Sequence, residues 1–216
     1  MVAPDSVIAD GVVGLGVRDT MPSPSITPSA PSLTVVAPSL PTATVPSAVG
    51  SATKALADTG LGVATSFELE QLRTALDVPV QGIPRSALRD NYTEARAGHA
   101  HEALDIMAPL GTPVLSAADG KVTKLHESKA GGHMIYAADA GDRFILMYAH
   151  LDRYADGVIA GMPLRRGQLI GYVGQTGNAA TPHLHFAIAR GKPSVKWWKG
   201  APVNPYPLLA PEASRR

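Results

Sequence analysis

Short apolar segments, broken at close intervals by Gly, Asp and Pro, fill the second half of the chain and constrain its fold more than any other feature. Segments of this length suit β-strands better than core helices. No helix-length gap separates them, which favours antiparallel pairing. The pattern therefore predicts a mostly β fold, an antiparallel β-sheet or sandwich. The segments span residues 111–114, 118–122, 131–136, 144–148, 167–173 and 183–188.

Several local signals predict how these segments connect. Asp119-Gly120 lies between two apolar segments and predicts a hairpin turn, because Gly accepts positive φ without strain. Pro79 and Pro84 flank a brief apolar segment, Val80 to Ile83, which we expect to be an edge strand. The aromatic, proline-rich tail from Trp197 to Pro207 is expected to wrap the domain as irregular structure.

A short helix is predicted before the first strands. Thr65 and Glu68 match the pattern in which a hydroxyl caps the first helical turn and an acidic side chain three residues later reaches back. Leu69, Leu72 and Leu76 follow at helical spacing. We expect an amphipathic helix that ends near Leu76.

Residues 1–64 differ in composition from the remainder. Between Met21 and Ser47, 17 of 27 residues are Pro, Ser or Thr, and no charged residue occurs from Thr20 to Thr53. Such a segment buries too little apolar area to offset the entropy of ordering it, so it is predicted to be a disordered linker or tether. A recognition tract for another protein is the alternative. The apolar run 12–17 is too short for a signal peptide and lacks a basic region before it.

Composition excludes several classes of function. With no cysteine, the chain cannot form disulfides, thiolate metal sites or thiol nucleophiles. A net charge of +1 gives no case for nucleic-acid binding, which requires a concentrated basic face. No segment approaches the roughly 18 to 20 apolar residues of a membrane-spanning helix, so no transmembrane segment is expected.

His183 and His185 are the most informative polar residues. Side chains alternate along a strand, so both imidazoles leave the same face, with Cα atoms roughly 6.5–7 Å apart. His101 and Asp105 also share a face, whether the backbone between them is extended or helical. Three imidazoles and a carboxylate could therefore converge, and a catalytic zinc site uses three protein ligands with a fourth position left for water, which makes a hydrolytic zinc site our working hypothesis. An ordinary pair of solvated strand histidines is the alternative.

Six motifs occur in one order along residues 96–205: Arg96-x-x-His99-x-His101-Glu102-Ala103-Leu104-Asp105, Asp119-Gly120-x-Val122, Tyr148-Ala149-His150-Leu151, Arg166-Gly167-Gln168-x-Ile170-Gly171, Gly174-x-Thr176-Gly177 and His183-Leu184-His185-Phe186. Together they closely resemble the M23 metallopeptidases, also called LytM-type or lysostaphin-like peptidoglycan endopeptidases. The resemblance implies an antiparallel β-sheet with the site in a groove. It also implies peptidoglycan as substrate and action in the cell envelope, periplasmic or secreted.

The same resemblance implies a role for each residue of the site. One zinc ion (Zn2+) per chain is expected on His101, Asp105 and His185, while His183 and His150 act in catalysis. His183 would serve as general base and acid, and His150 would bind the developing oxyanion or share the proton transfer. A non-catalytic LytM-type regulatory or wall-binding module is the alternative, although such modules typically lack ligand residues and all five positions are intact here.

The chain departs from the family pattern in small ways. Ala103 stands where the family usually has Gly, a difference of one methyl group that the fold should tolerate. Tyr92 is the nearest candidate for a tyrosine that some members place before the first ligand, and His99 is interpreted as a solvated side chain. We expect four segments: a linker at 1–64, a helical lead-in at 65–90, the peptidase-like domain at 91–209 and a tail at 210–216.

Overall fold

The computed structural model describes residues 62–96, 98–192 and 200–211. The prediction of a disordered linker falls almost entirely outside these residues, as do Trp197 and Trp198. The described residues form α1 (Ser66–Ala75), a 3-10 helix (Arg85–Ala87), β1 (Ala95–Arg96), β2 (His99–Ala100), β3 (Leu104–Met107), β4 (Pro113–Leu115), β5 (Gly120–Ser128), β6 (Gly132–Asp139), β7 (Phe144–Tyr154), β8 (Pro163–Leu164), β9 (Leu169–Val173), β10 (His183–Arg190), β11 (Ala201–Val203) and α2 (Tyr206–Leu209).

One nine-stranded antiparallel sheet dominates the fold. Its central path runs β11-β10-β7-β6-β5-β8, and β3 pairs with β10 while β9 pairs with both β4 and β7. Strands β1 and β2 form a separate two-stranded sheet. This architecture confirms the predicted mostly β, antiparallel fold with a short helix before the sheet. The proposed four-segment division of the chain stays a prediction.

The two faces of the sheet are used differently, and the difference positions the site. In β7, alternate residues Phe144, Leu146 and Tyr148 belong to the main hydrophobic core, whereas Ile145, Met147 and Ala149 belong to a second, smaller cluster. Strand β10 follows the same alternation: its core-facing residues are Leu184, Phe186 and Ile188, and Ala187 lies in the second cluster. His183 and His185 therefore lie on the face of the second cluster.

Helix α1 forms as its sequence predicts and is hydrogen-bonded to strand β10 of the sheet. Thr65 accepts a hydrogen bond from the Glu68 backbone, and the Glu68 side chain reaches back to the Thr65 N–H at 2.9 Å. Arg190 of β10 donates a hydrogen bond of 2.8 Å to Glu68, and this contact holds the pKa of Glu68 down at about 2. Leu72 and Leu76 reach the core. No helix within the described ranges is long and apolar enough to cross a membrane.

The predicted hairpin at Asp119-Gly120 is wrong. Strand β4 pairs with β9, and β5 pairs with β6 and β8. Gly120 is the first residue of β5, where an added Cβ would lie 1.9 Å from the Ala138 carbonyl oxygen, so the glycine serves close strand packing. The Asp119 carboxylate instead accepts the Arg166 backbone N–H at 2.7 Å.

Two further local predictions are also wrong. Only Val80 of the expected edge strand forms a bridge, to Val114, because the chain then turns at Gly82 with φ 78°. In the described part of the tail, Ala201–Val203 pair with β10 and Tyr206–Leu209 are helical, so this segment is not irregular. Pro202 is compatible with β11 because an edge strand has one row of unpaired donors.

Candidate metal centre

Asp105 and His185 face each other across the antiparallel β3–β10 pair. His101 lies just before β3. Its side chain reaches the same point, but the backbone between His101 and Asp105 is not the regular one that was expected. The even spacing from Asp105 implied regular extended or helical backbone, but Glu102 has a left-handed φ of 54°. The His101 N–H donates to the Glu94 carbonyl and the Glu102 N–H to the Tyr92 carbonyl, each at 2.9 Å, which fixes this bend.

Three ligand-type atoms meet at this point and form the three-atom cluster. His101 Nε2, Asp105 Oδ1 and His185 Nδ1 lie 3.0 Å from one another in each pairing. Tetrahedral zinc bonds of about 2.0–2.1 Å place neighbouring ligands about 3.3–3.4 Å apart. The donor types and spacing therefore fit a divalent metal ion after a shift of a few tenths of an ångström.

The protonation states of the residues in the three-atom cluster suit a bound cation. The Asn91 carbonyl lies 3.0 Å from His101 Nδ1 and can only accept, so Nδ1 carries the hydrogen and Nε2 presents a lone pair. Burial by itself would raise the pKa of Asp105, but the adjacent His101 and His185 imidazoles lower it well below its usual range. Burial lowers the pKa of His185. Ionised carboxylate and neutral imidazole are the forms that bind zinc.

A shell of supporting contacts orients the carboxylate. Arg96 Nη2 donates to Asp105 Oδ2 at 2.9 Å, which leaves Oδ1 to the cluster. The Asp105 N–H donates to Asn91 Oδ1 at 3.2 Å, so Asn91 holds both Asp105 and His101. Sequence reasoning missed both supporting residues: Arg96 stood in a motif without a role, and nothing in the sequence singled out Asn91.

His150 and His183 stand beside the cluster, each held through Nδ1. His150 Nδ1 donates to the Thr176 carbonyl at 2.8 Å and His183 Nδ1 to the Thr181 carbonyl at 2.7 Å. Their ring centroids are 4.9 Å apart. Burial lowers the pKa of His150 to about 4, which keeps that imidazole neutral at pH 7. The neutral His150 ring therefore offers a lone pair at Nε2, and Nε2 of His183 is likewise left outside its carbonyl contact.

His150 lies within β7, which extends beyond the predicted segment 144–148 and ends at Tyr154. Its φ of 59° is left-handed, and the pairing register of β7 shifts immediately afterwards. Its N–H donates to the Gly131 carbonyl at 2.8 Å. Left-handed backbone at a bulky residue costs roughly 1–3 kcal/mol and is typical of functional sites.

All five predicted site residues line one cleft of ≈ 710 Å³. Its floor is the second hydrophobic cluster, chiefly Met134, Tyr136, Met147, Ala149 and Ala187.

The other candidate residues have separate positions. His99 and His126 line the cleft away from the cluster, and His133 binds backbone carbonyls of residues 151 and 152 through Nδ1. Tyr92 lies outside the cleft lining, and burial raises its pKa to about 12. The cleft thus combines a cation-type cluster, two further imidazoles and an apolar floor.

Comparisons with known proteins identify the family that this chain resembles. Residues 99–205 match the profile of Peptidase family M23. The peptidoglycan DD-endopeptidase ShyC of Vibrio cholerae is 38% identical over 87 residues, which are 40% of this chain and 19% of ShyC. The L-Ala--D-Glu endopeptidase of Bacillus subtilis is 32% identical over 116 residues, 50% of this chain and 34% of the relative. The chain thus spans about a fifth to a third of these relatives.

Among solved structures, the antimicrobial peptidase lysostaphin from Staphylococcus simulans superimposes with a TM-score of 0.50 and 28% sequence identity. The match covers 58% of this chain and 49% of that structure. The shared fold includes the antiparallel sheet that carries the cleft.

Proposed function

Residues 99–205 of this chain belong to peptidase family M23, and on that premise we propose that the chain is a zinc-dependent endopeptidase of peptidoglycan. The observation that carries the proposal is the three-atom cluster with the imidazoles of His150 and His183 beside it in one cleft. The proposed zinc ligands are His101, Asp105 and His185. One zinc ion per chain would supply a Lewis acid that polarises the scissile carbonyl and acidifies water.

We assign the proton transfer to His183. Its Nδ1 is occupied by the Thr181 carbonyl, so Nε2 can accept a proton from the attacking water and return it to the departing amine. His183 Nε2 lies 3.6 Å from Asp105 Oδ1, directly beside the three-atom cluster. The position of His183 therefore suits a base that becomes an acid within one turnover.

His150, whose ring lies beside that of His183, would share the proton transfer. Because its Nδ1–H is donated to Thr176, the neutral ring has no hydrogen at Nε2 to give to an oxyanion. It can donate there only after gaining a proton. Of the two roles expected from the sequence, the geometry therefore favours a share in proton transfer, with oxyanion stabilisation following from it.

The proposed substrate is a peptide bond in the stem peptides or cross-links of peptidoglycan. The name of the Vibrio cholerae relative assigns it peptidoglycan, and that of the Bacillus subtilis relative assigns it an L-Ala–D-Glu bond. A cleft built on the open face of a sheet suits an extended, branched chain. The site of action would then be the cell envelope, where peptidoglycan lies.

Purified sacculi provide the direct test. The full chain loaded with one equivalent of zinc should release new amino groups and muropeptides, whose masses identify the bond cleaved. Chelation should stop the release, and added zinc should restore it. If the zinc-loaded protein binds sacculi without releasing amines, it is a non-catalytic wall-binding module.

Removing the Arg96 guanidinium should weaken zinc binding. Arg96→Gln frees Asp105 Oδ2, so the carboxylate can rotate away from the cluster, and loss of such a supporting contact typically costs about 10–100-fold in metal affinity. Competition with a chromogenic chelator measures this change. Arg73→Gln is the matched control, because Arg73 pairs with Glu70 on the surface of α1. Equal zinc affinity in both variants would show that Arg96 does not orient the ligand.

A further inference from the structure

Thr176 contacts His150 through its main chain. The Thr176 carbonyl accepts the Nδ1–H of His150 at 2.8 Å. Since a carbonyl oxygen cannot donate, this contact selects the tautomer with hydrogen on Nδ1 and a lone pair on Nε2. The location of one carbonyl oxygen thus sets which nitrogen of His150 faces the reaction.

The Thr176 side chain holds that carbonyl in place. His133 of β6 and Leu151 of β7 are cross-strand partners. Thr176 Oγ1 also links them: it accepts the His133 N–H at 3.1 Å and donates to the Leu151 carbonyl at 2.7 Å. The link lies where the β6–β7 register shifts. A single hydroxyl therefore joins the two strands next to His150.

Two glycines allow the Thr176 loop to approach this closely. A Cβ on Gly132 would lie 2.0 Å from Thr176 Oγ1, and one on Gly177 would lie 2.3 Å from the Ala130 carbonyl oxygen. Gly177 also has a φ of 72°. The next residue, Asn178, donates its N–H to the Ala130 carbonyl at 3.0 Å. Loop 175–178 is thereby packed against residues 130–132 at Thr176 and at the two residues that follow it.

We propose that Thr176 is a positioning residue for hydrolysis: its hydroxyl fixes its carbonyl, and its carbonyl fixes the tautomer and ring orientation of His150. The assignment rests on the proposed function, because it presumes that His150 takes part in proton transfer. Thr176 itself does not touch the reacting atoms. None of its hydrogen bonds involves the proposed zinc ligands.

Thr176→Val should lower kcat about 10- to 100-fold, part of the roughly 10²–10⁴ that a positioned acid or base contributes. Valine keeps the shape and the carbonyl but removes the hydroxyl. KM and zinc content should remain unchanged. Thr176→Ser keeps the hydroxyl and should recover most of kcat. Thr176→Ala leaves room for water and serves as the second variant if the valine protein does not fold.

The decisive readout is the ¹⁵N spectrum of the His150 imidazole in zinc-loaded protein, assigned with His150→Gln. The wild type and Thr176→Ser should show one tautomer with hydrogen on Nδ1, whereas Thr176→Val or Thr176→Ala should show a mixture. A single unchanged tautomer together with wild-type kcat would overturn the proposal. So would equal losses of activity in the serine and valine variants with an unchanged tautomer, which would indicate a structural role only.

The two proposals fail in different ways. If wild-type protein hydrolyses no peptidoglycan, the proposed function fails, and the part of the present proposal that concerns kcat fails with it. The tautomer measurement still decides whether Thr176 positions His150, because it requires no substrate.

Discussion

Replacing His185 with alanine is expected to abolish stoichiometric zinc binding and peptidoglycan hydrolysis together. The variant loses one of three atoms that lie 3.0 Å apart, so only His101 Nε2 and Asp105 Oδ1 remain. The fall in zinc affinity should exceed the about 10–100-fold that loss of a supporting contact costs. Elemental analysis after dialysis at a buffered free zinc concentration measures the stoichiometry, and chelator competition measures the affinity.

His99→Ala is the matched control for this experiment. His99 lines the same cleft but is exposed on β2 and lies outside the three-atom cluster. Its removal should leave one zinc ion per chain. A His185→Ala protein that retains zinc with the affinity of the His99→Ala protein would exclude His185 as a ligand.

Replacing His183 with alanine is expected to abolish most of the hydrolysis without loss of zinc binding. Zinc content should stay at one ion per chain, while hydrolysis should fall about 10²–10⁴-fold, the usual contribution of a general base or acid. The physical reason is that His183 Nε2 lies 3.6 Å from Asp105 Oδ1, beside the cluster rather than within it. Zinc analysis and the rate of amine release, measured on the same preparation, test this expectation.

The contrast between the two variants also settles how the His-x-His pair is used. The sequence left open whether a metal binds one imidazole or both. If His183→Ala loses zinc as His185→Ala does, His183 is a ligand and the assigned proton carrier is wrong. If hydrolysis is unchanged, the proton transfer belongs to another group, and His150 becomes the first candidate.

Strand periodicity was enough to predict the sheet, whereas the resemblance to a known family was needed to group the five candidate residues. His183 and His185 share a face because they stand two apart on a strand, which is a local property. The convergence of His101 with Asp105 was expected for a different reason from the one observed, because the left-handed backbone at Glu102 has no signature in residue type.

Strand partners and main-chain contacts could not be predicted. Asp119-Gly120 carries the sequence of a hairpin turn, yet β4 finds its partner in β9, since pairing depends on packing between distant segments. The carbonyls of Asn91, Thr176 and Thr181 each hold a histidine. Every residue has a carbonyl, so nothing in the sequence distinguishes these three positions.

Asp105 and His185 are adjacent in the sheet although 80 positions separate them in the chain. The unfolded chain would have to close a long loop to present all three donor atoms at one point, so an ion that binds them binds the folded chain selectively. By mass action, each tenfold rise in free ion above Kd then stabilises the folded form by about 1.4 kcal/mol. The population of folded protein is thereby linked to the supply of metal.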